Sequence, residues 1–167
     1  MSLVLSLLAL IVRGAIAPPV VLHDAAGRIR QVPDQKIPIL VIYEDQDGGK
    51  DNRAAKDFLG RVNSTADNRA RCEAIAVADV EKYDWWPAKK YVLADIQKSE
   101  AQKKTTIYID WKGAVRKAWG LGKGKNNLVL VAPDGKVLWS STGTLTSAQL
   151  EELSGILRDL GLHVDGL

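Results

Sequence analysis

Apolar residues along this chain fall into two rhythms, short continuous runs and helically spaced stripes, and the two alternate from end to end. Val20–His23 and Arg28–Val32 flank Asp24-Ala25-Ala26-Gly27, which predicts a β-hairpin. Pro33 ends its second strand, because proline cannot donate to a ladder. The run Ile37–Tyr43 is continuous, apolar and β-branched, the pattern of a central strand covered on both faces. Asp51 or Asn52 is then placed to cap a helix reaching about Val62, with Ala55, Phe58, Leu59 and Val62 on one face. Asn63–Ala70 is polar and predicts a loop, and Cys72–Val77 predicts a second buried strand. Asp84 is placed to cap a helix opening at Trp85-Trp86-Pro87, with Trp85, Ala88, Val92 and Ile96 at helical spacing.

Further on, Thr105–Ile109 predicts a short strand ending at Asp110, and Ala114–Trp119 a short helix. Leu128–Val131 and Val137–Ser140 flank a Pro133-Asp134-Gly135 turn too short for a crossover, so they must pair antiparallel. Thr146 with Gln149 makes a capping box, Leu145 and Leu150 a hydrophobic staple. Leu150, Leu153, Leu157 and Leu160 supply the buried stripe of the closing helix. The order is hairpin, β-α-β-α, β-α, then β-β-α. It predicts an α/β chain with a central mixed β-sheet, helices on both faces and an N-terminal β-hairpin. No repeat or linker interrupts it, so residues 18–167 are expected to form a single domain.

The N-terminal stretch adds an address. Its apolar run Leu3–Val12 is shorter than the ~20 residues that cross a bilayer. Followed by Ala15-Ile16-Ala17, it reads as a signal peptide, residues 1–17, cut after Ala17. The expected location is periplasmic or secreted, with no stable membrane span once the leader is cut.

Charge is unevenly spread. Between Lys82 and Lys136 there are 12 basic and 5 acidic residues, or +7, which leaves −4 for the remainder of a chain whose total is +3. That segregation suits an acidic or anionic partner. Nucleic acid is not expected, because the charges alternate along helix faces and export would deny access. A single cysteine, Cys72, excludes an intramolecular disulfide and a CxxC dithiol. His23 and His163 lie near opposite ends, so neither a zinc nor a copper site, nor any other cofactor, is expected.

Three features invite chemistry. The loop Glu44-Asp45-Gln46-Asp47-Gly48-Gly49-Lys50-Asp51 puts four carboxylates at the carboxyl end of a central strand, where α/β folds place their sites. Alternate carboxylates suit calcium, but an EF-hand counted from Asp45 would need Gly where Lys50 stands and Glu where Lys56 stands. The loop is therefore read as an exposed acidic turn, without a metal; paired carboxylates for acid–base chemistry are the other reading. Cys72 opens a buried strand with no histidine near it in sequence, and reads as structural. Trp85 and Trp86 cannot both face the core from one helix, so an exposed tryptophan there is a candidate anchor for a protein partner. Trp111 and Trp119 are expected to pack on the sheet, and Gly120–Gly124 lacks the GK[ST] and following helix of a phosphate loop.

The hairpin, the covered strand with its loop and helix, and the closing unit together resemble the thioredoxin-like redoxin superfamily, and within it the small periplasmic YtfJ-like proteins. The residues that carry this are Ile109-Asp110 with Gly113, Ala118-Trp119 with Leu121, Val129–Val131 with Asp134-Gly135, and Val137, Trp139, Gly143, Leu145 and Thr146. The resemblance implies export, and it implies a position for the active site. Redox-active relatives carry CxxC between the first central strand and its helix; here Asp47 and Lys50 stand where those cysteines would be. The position of the superfamily's cis-proline falls on Asn126, where a cis peptide would cost ~3–4 kcal/mol. Dithiol exchange needs an attacking and a resolving thiol, and this chain lacks the pair. The expected function is that of an exported, non-catalytic binding module with a protein partner. The alternative is an enzyme using loop 44–51, or Cys72, at the superfamily's active-site position.

Overall fold

In the computed structural model, which describes residues 12–34, 36–49, 53–103 and 105–164, the N-terminal hairpin forms as β1 (Val20–Asp24) and β2 (Ile29–Val32), with Val20 opposite Val32. The continuous apolar run becomes β3 (Ile39–Glu44), followed by α1 (Arg53–Val62), α2 (Ala66–Arg71) and β4 (Glu73–Asp79). A 3-10 turn at Glu81–Tyr83 leads to α3 (Ala88–Lys103), β5 (Ile107–Asp110) and α4 (Ala114–Trp119). The chain closes with β6 (Asn127–Val131), β7 (Val137–Thr142) and α5 (Ser147–Asp159). The strands form one seven-stranded sheet in the order β2-β1-β5-β4-β3-β6-β7. β3, β4 and β5 run parallel, so their carboxyl ends share one edge, while β6 runs antiparallel to β3 and β7 antiparallel to β6.

β3 is covered on both faces, as its uninterrupted apolar run requires. Leu40 and Ile42 enter one core with Phe58 and Val62 of α1 and Leu153 and Leu157 of α5. Ile39, Val41 and Tyr43 enter the other, beneath Val115 and Trp119 of α4. The Trp119 indole donates to the Pro18 carbonyl at 2.8 Å, which ties α4 to the entry into β1. Thr146 and Gln149 close the capping box of α5, and Leu145 and Leu150 both pack against the core below it.

Local signals mislead in two places. Asn63–Ala70 is not all loop, because α2 starts within it: Thr65 Oγ1 accepts from Asn68 N at 3.1 Å. Buried Asn68 then exchanges two hydrogen bonds with the His163 backbone at 2.9 Å, a partner 95 residues away that no local pattern reveals. The helix expected from Trp85 begins at Ala88 instead. Asp84 does not cap it; its carboxylate pairs with Lys89 and Lys112. The caps assigned to Asp51 and Asn52 lie outside the described residues.

Residues 1–11 of the expected leader also lie outside them, but its last residues do not. Gly14 N donates to Val137 O, Val137 N to Ala15 O, and Ala17 N to Gly135 O, each at 2.8 Å. This short pairing covers the outer edge of β7, and Ala17 is buried. A cut after Ala17 would uncover that edge.

Candidate functional site

At the shared carboxyl edge, β3 runs into the acidic loop, and Asp45 organises it. One carboxylate oxygen accepts from Asp47 N at 3.0 Å and Gly48 N at 2.8 Å, while the other accepts from Gly124 N at 2.9 Å. The 44–49 loop is thereby held against the loop that precedes β6. A Cβ at Gly48 would lie 2.9 Å from Asn126 N and nearer still to the Lys125 carbonyl, so only glycine fits. Asn127 holds the other side: its amide nitrogen donates to Gly122 O at 2.9 Å and Lys125 O at 3.1 Å. The two loops bound a small hollow of about 150 Å³ lined by Asp47, Gly48, Lys125, Asn126 and Thr144. Asp45, Asp47 and Asn126 are thus neighbours, although about eighty residues separate Asp45 from the second loop. Lys50 lies outside the described residues. Among the described residues, cis peptides precede Pro33 and Pro87, not Asn126.

The loop carboxylates diverge. Glu44 pairs with Lys56 at 3.1 Å, and Asp47 with Lys82 at 3.6 Å. Among the described residues no three His, Cys, Asp or Glu side chains converge in a way that could hold a metal ion.

Beneath the loop lies a buried polar cluster that pattern reading missed. β4 and β5 end on Asp79 and Asp110, which are register partners. Tyr43 Oη donates to Asp110 Oδ2 at 3.0 Å. The same carboxylate accepts from Ala114 N at 2.8 Å and Val115 N at 2.9 Å, so it caps α4 where Gly113 supplies no side chain. Arg116 Nε donates to Asp79 Oδ2 at 2.9 Å, and its fork also reaches Glu81, which Lys117 pairs as well. Burial pushes the Tyr43 hydroxyl far above its ordinary range, and the negative charges of Asp110 and Asp79 push it further. It therefore stays a donor, which suits a brace rather than a nucleophile. The signal available in sequence was two buried strands that each end on aspartate.

A larger cleft, about 830 Å³, opens beside the acidic loop between the 3-10 turn and α3. Trp85, Tyr91 and Tyr83 wall it, Ala78 and Ile96 lie deeper, and Asp45 and Asp95 stand among its lining residues. Trp85 and Trp86 are both exposed, at 57% and 76%, but only Trp85 lines this cleft. Trp119 is buried and Trp111 packs beside Ile109, as expected. Five cations of the basic middle segment are neutralised locally: Lys82, Lys89, Lys112, Arg116 and Lys117 all pair with carboxylates.

Cys72 corrects one expectation. It precedes β4 at the edge opposite the acidic loop, since Glu73 pairs with Ile39 while Ala78 pairs with Glu44. It cannot serve at the superfamily's active-site position. The thiol is fully buried, and burial pushes it up to about 12. A thiol reagent at neutral pH is expected to label Cys72 only after denaturant is added; rapid labelling of the native protein would contradict its burial. Because the folded thiol titrates above the unfolded one, this stabilising contribution is complete below pH 9 and is lost as pH climbs towards about 12.

A family model described as a bacterial protein of unknown function, YtfJ_HI0045, matches residues 44–160. No curated protein matches the chain. Among solved structures, a putative thiol:disulfide interchange protein DsbE from Chlorobium tepidum is similar at 19% identity and a TM-score of 0.68, over 90% of this chain and 99% of that one. An exposed lipoprotein thioredoxin, Etrx1, from Streptococcus pneumoniae is similar at 12% identity and a TM-score of 0.61, over 85% and 99%. A peroxiredoxin-like protein from Aquifex aeolicus is similar at 13% and 0.59, over 89% and 86%. These likenesses show the thioredoxin-like fold. The chain belongs to the YtfJ_HI0045 family.

Proposed function

We propose that this member of the family is an exported thioredoxin-fold protein that works without a redox dithiol, as a non-catalytic module that binds a protein partner beside the loop 44–49. One observation carries the reading: the edge that would hold a CxxC carries Asp47 and Gly48, while the chain's one thiol is buried at the other edge. Dithiol exchange has no attacking thiol there. The carboxylates at that edge are occupied by amides and by lysines, which favours a built surface over a reacting pair.

Export is supported by Leu3–Val12 with Ala15-Ile16-Ala17, and by likeness to an exposed lipoprotein thioredoxin. We keep residues 1–17 as the leader and the rest as one domain. Mass determination of the exported protein's N-terminus tests this; a terminus upstream of Gly14 would mean that the strand covering β7 is retained and the cut after Ala17 is wrong.

The catalytic question is settled by insulin reduction with dithiothreitol as electron donor. The expected rate is that of dithiothreitol alone, and Cys72→Ala should leave partner binding unchanged. Turnover above that background, lost in Cys72→Ala, would sink the non-catalytic reading.

A further inference from the structure

The 830 Å³ cleft has a chemical character that singles out an occupant. Its volume lies in the range of ligand sites, and no lysine or arginine lines it. Of its carboxylates, Glu44 and Asp79 share their charge with Lys56 and Arg116, and Asp45 is bonded to neutral amides. Asp95 has no ion-pair partner among the described residues and stands exposed on α3. Negative charge therefore remains at Asp45 and Asp95. Beside them stand Trp85 and Tyr91, exposed at 57% and 69%. An aromatic wall next to uncompensated carboxylates is suited to an organic cation, which gains from the ring faces and from the charges together.

The cleft does not end there. Glu44, Ala78, Ile96 and Ser99 also line a second hollow of about 500 Å³, which runs between α1 and α3 over the sheet. Its lining is mostly apolar, with Ile42, Leu59, Ala76 and Ile107, and at its rim stand Asp57 and Lys56, the latter paired with Glu44. The two form one furrow, acidic and aromatic at the loop end and apolar at the other. A small amine would fill only the first part. An extended chain that carries a cationic side chain next to apolar ones would fill both.

Resting on the binding-module reading, we propose that this furrow binds a basic, apolar-flanked peptide segment of the partner, with its lysine or arginine held between Trp85, Tyr91 and Asp95. The partner is thus recognised by a positive segment, although the middle of this chain is itself basic by count; five of the cations there are held in ion pairs, and none of that segment's lysines or arginines lines the furrow.

A fluorescein-labelled peptide in which lysine alternates with leucine is the probe, followed by fluorescence anisotropy against the whole chain. Binding is expected at low salt, weakening as salt rises. Trp85→Ala and Tyr91→Ala should each weaken it about tenfold, and Asp95→Asn about threefold. Trp86→Ala serves as the control, since Trp86 is exposed but lies outside the furrow, and it should leave binding unchanged. No binding, equal binding of the peptide with glutamate for lysine, or equal loss in Trp86→Ala would overturn the proposal. So would spermidine binding as tightly as the peptide, which would make this a site for small cations. Mass spectrometry of the recovered peptide separates the two readings: a cleaved or altered peptide overturns the non-catalytic function and leaves the binding site standing.

Discussion

Asp110→Ala is expected to lower the free energy of unfolding by about 3–5 kcal/mol, read as a shifted urea midpoint at unchanged slope. The side chain is 3% exposed and accepts from the Tyr43 hydroxyl and from the Ala114 and Val115 amides. Alanine would leave those donors buried without an acceptor, and each such group carries a desolvation cost of about 1–3 kcal/mol. Asp110→Asn retains one acceptor oxygen but turns its NH2 towards the donors that the other oxygen served, so its loss should fall between the parent and Asp110→Ala. A loss under about 1 kcal/mol in Asp110→Ala would mean that water replaces the carboxylate and that the cluster is no brace.

Gly48→Ala should cost about 1–3 kcal/mol, because the added methyl meets backbone rather than a flexible side-chain end. The melting temperature should drop by roughly 3–10 °C for a chain of this size. The clash also has a functional direction. It pushes the 44–49 loop away from Lys125–Asn126, so peptide binding should weaken with stability, whereas Gly155→Ala, with open space at its Cβ and outside the furrow, should change neither loop nor binding. A Gly48→Ala protein as stable as the parent would show that the two loops part easily and that their contact does not set the site.

Elements were legible in sequence to the degree that their causes are local. The capping box of Thr146 and Gln149, the turn at Pro133–Gly135 and the apolar run of β3 each announce themselves within a few residues, and each forms. α2 was hidden because Asn63–Ala70 carries no apolar stripe; its buried residue is Asn68, whose partner is the backbone of His163. The start of α3 was misplaced because Asp84, a good capping residue by type, is drawn off by Lys89 and by the more distant Lys112.

The site divides the same way. Placing Asp47 and Asn126 at the superfamily's active-site position rests on counting along a resembling pattern, and the fold brings the two side by side. Sequence left open which tryptophan is exposed; both are, and only one lines the cleft. It offered no warning that Asp79, Asp110 and Tyr43 form one cluster beneath the loop.

By itself, then, the sequence determined the order of the strands and of the helices other than α2, the closing unit and the lack of a dithiol, since these follow from near neighbours and from a count of one cysteine. Only the tertiary structure decided that Cys72 lies at the edge opposite the acidic loop, that Asp45 ties that loop to Gly124, and that an acidic aromatic furrow lies beside it. The physical reason is distance along the chain. Tyr43 and Asp110 are 67 residues apart, and Asp45 and Gly124 are 79. Hydrogen bonds of that span depend on how the parallel strands align at their carboxyl ends, which no short window of residues contains.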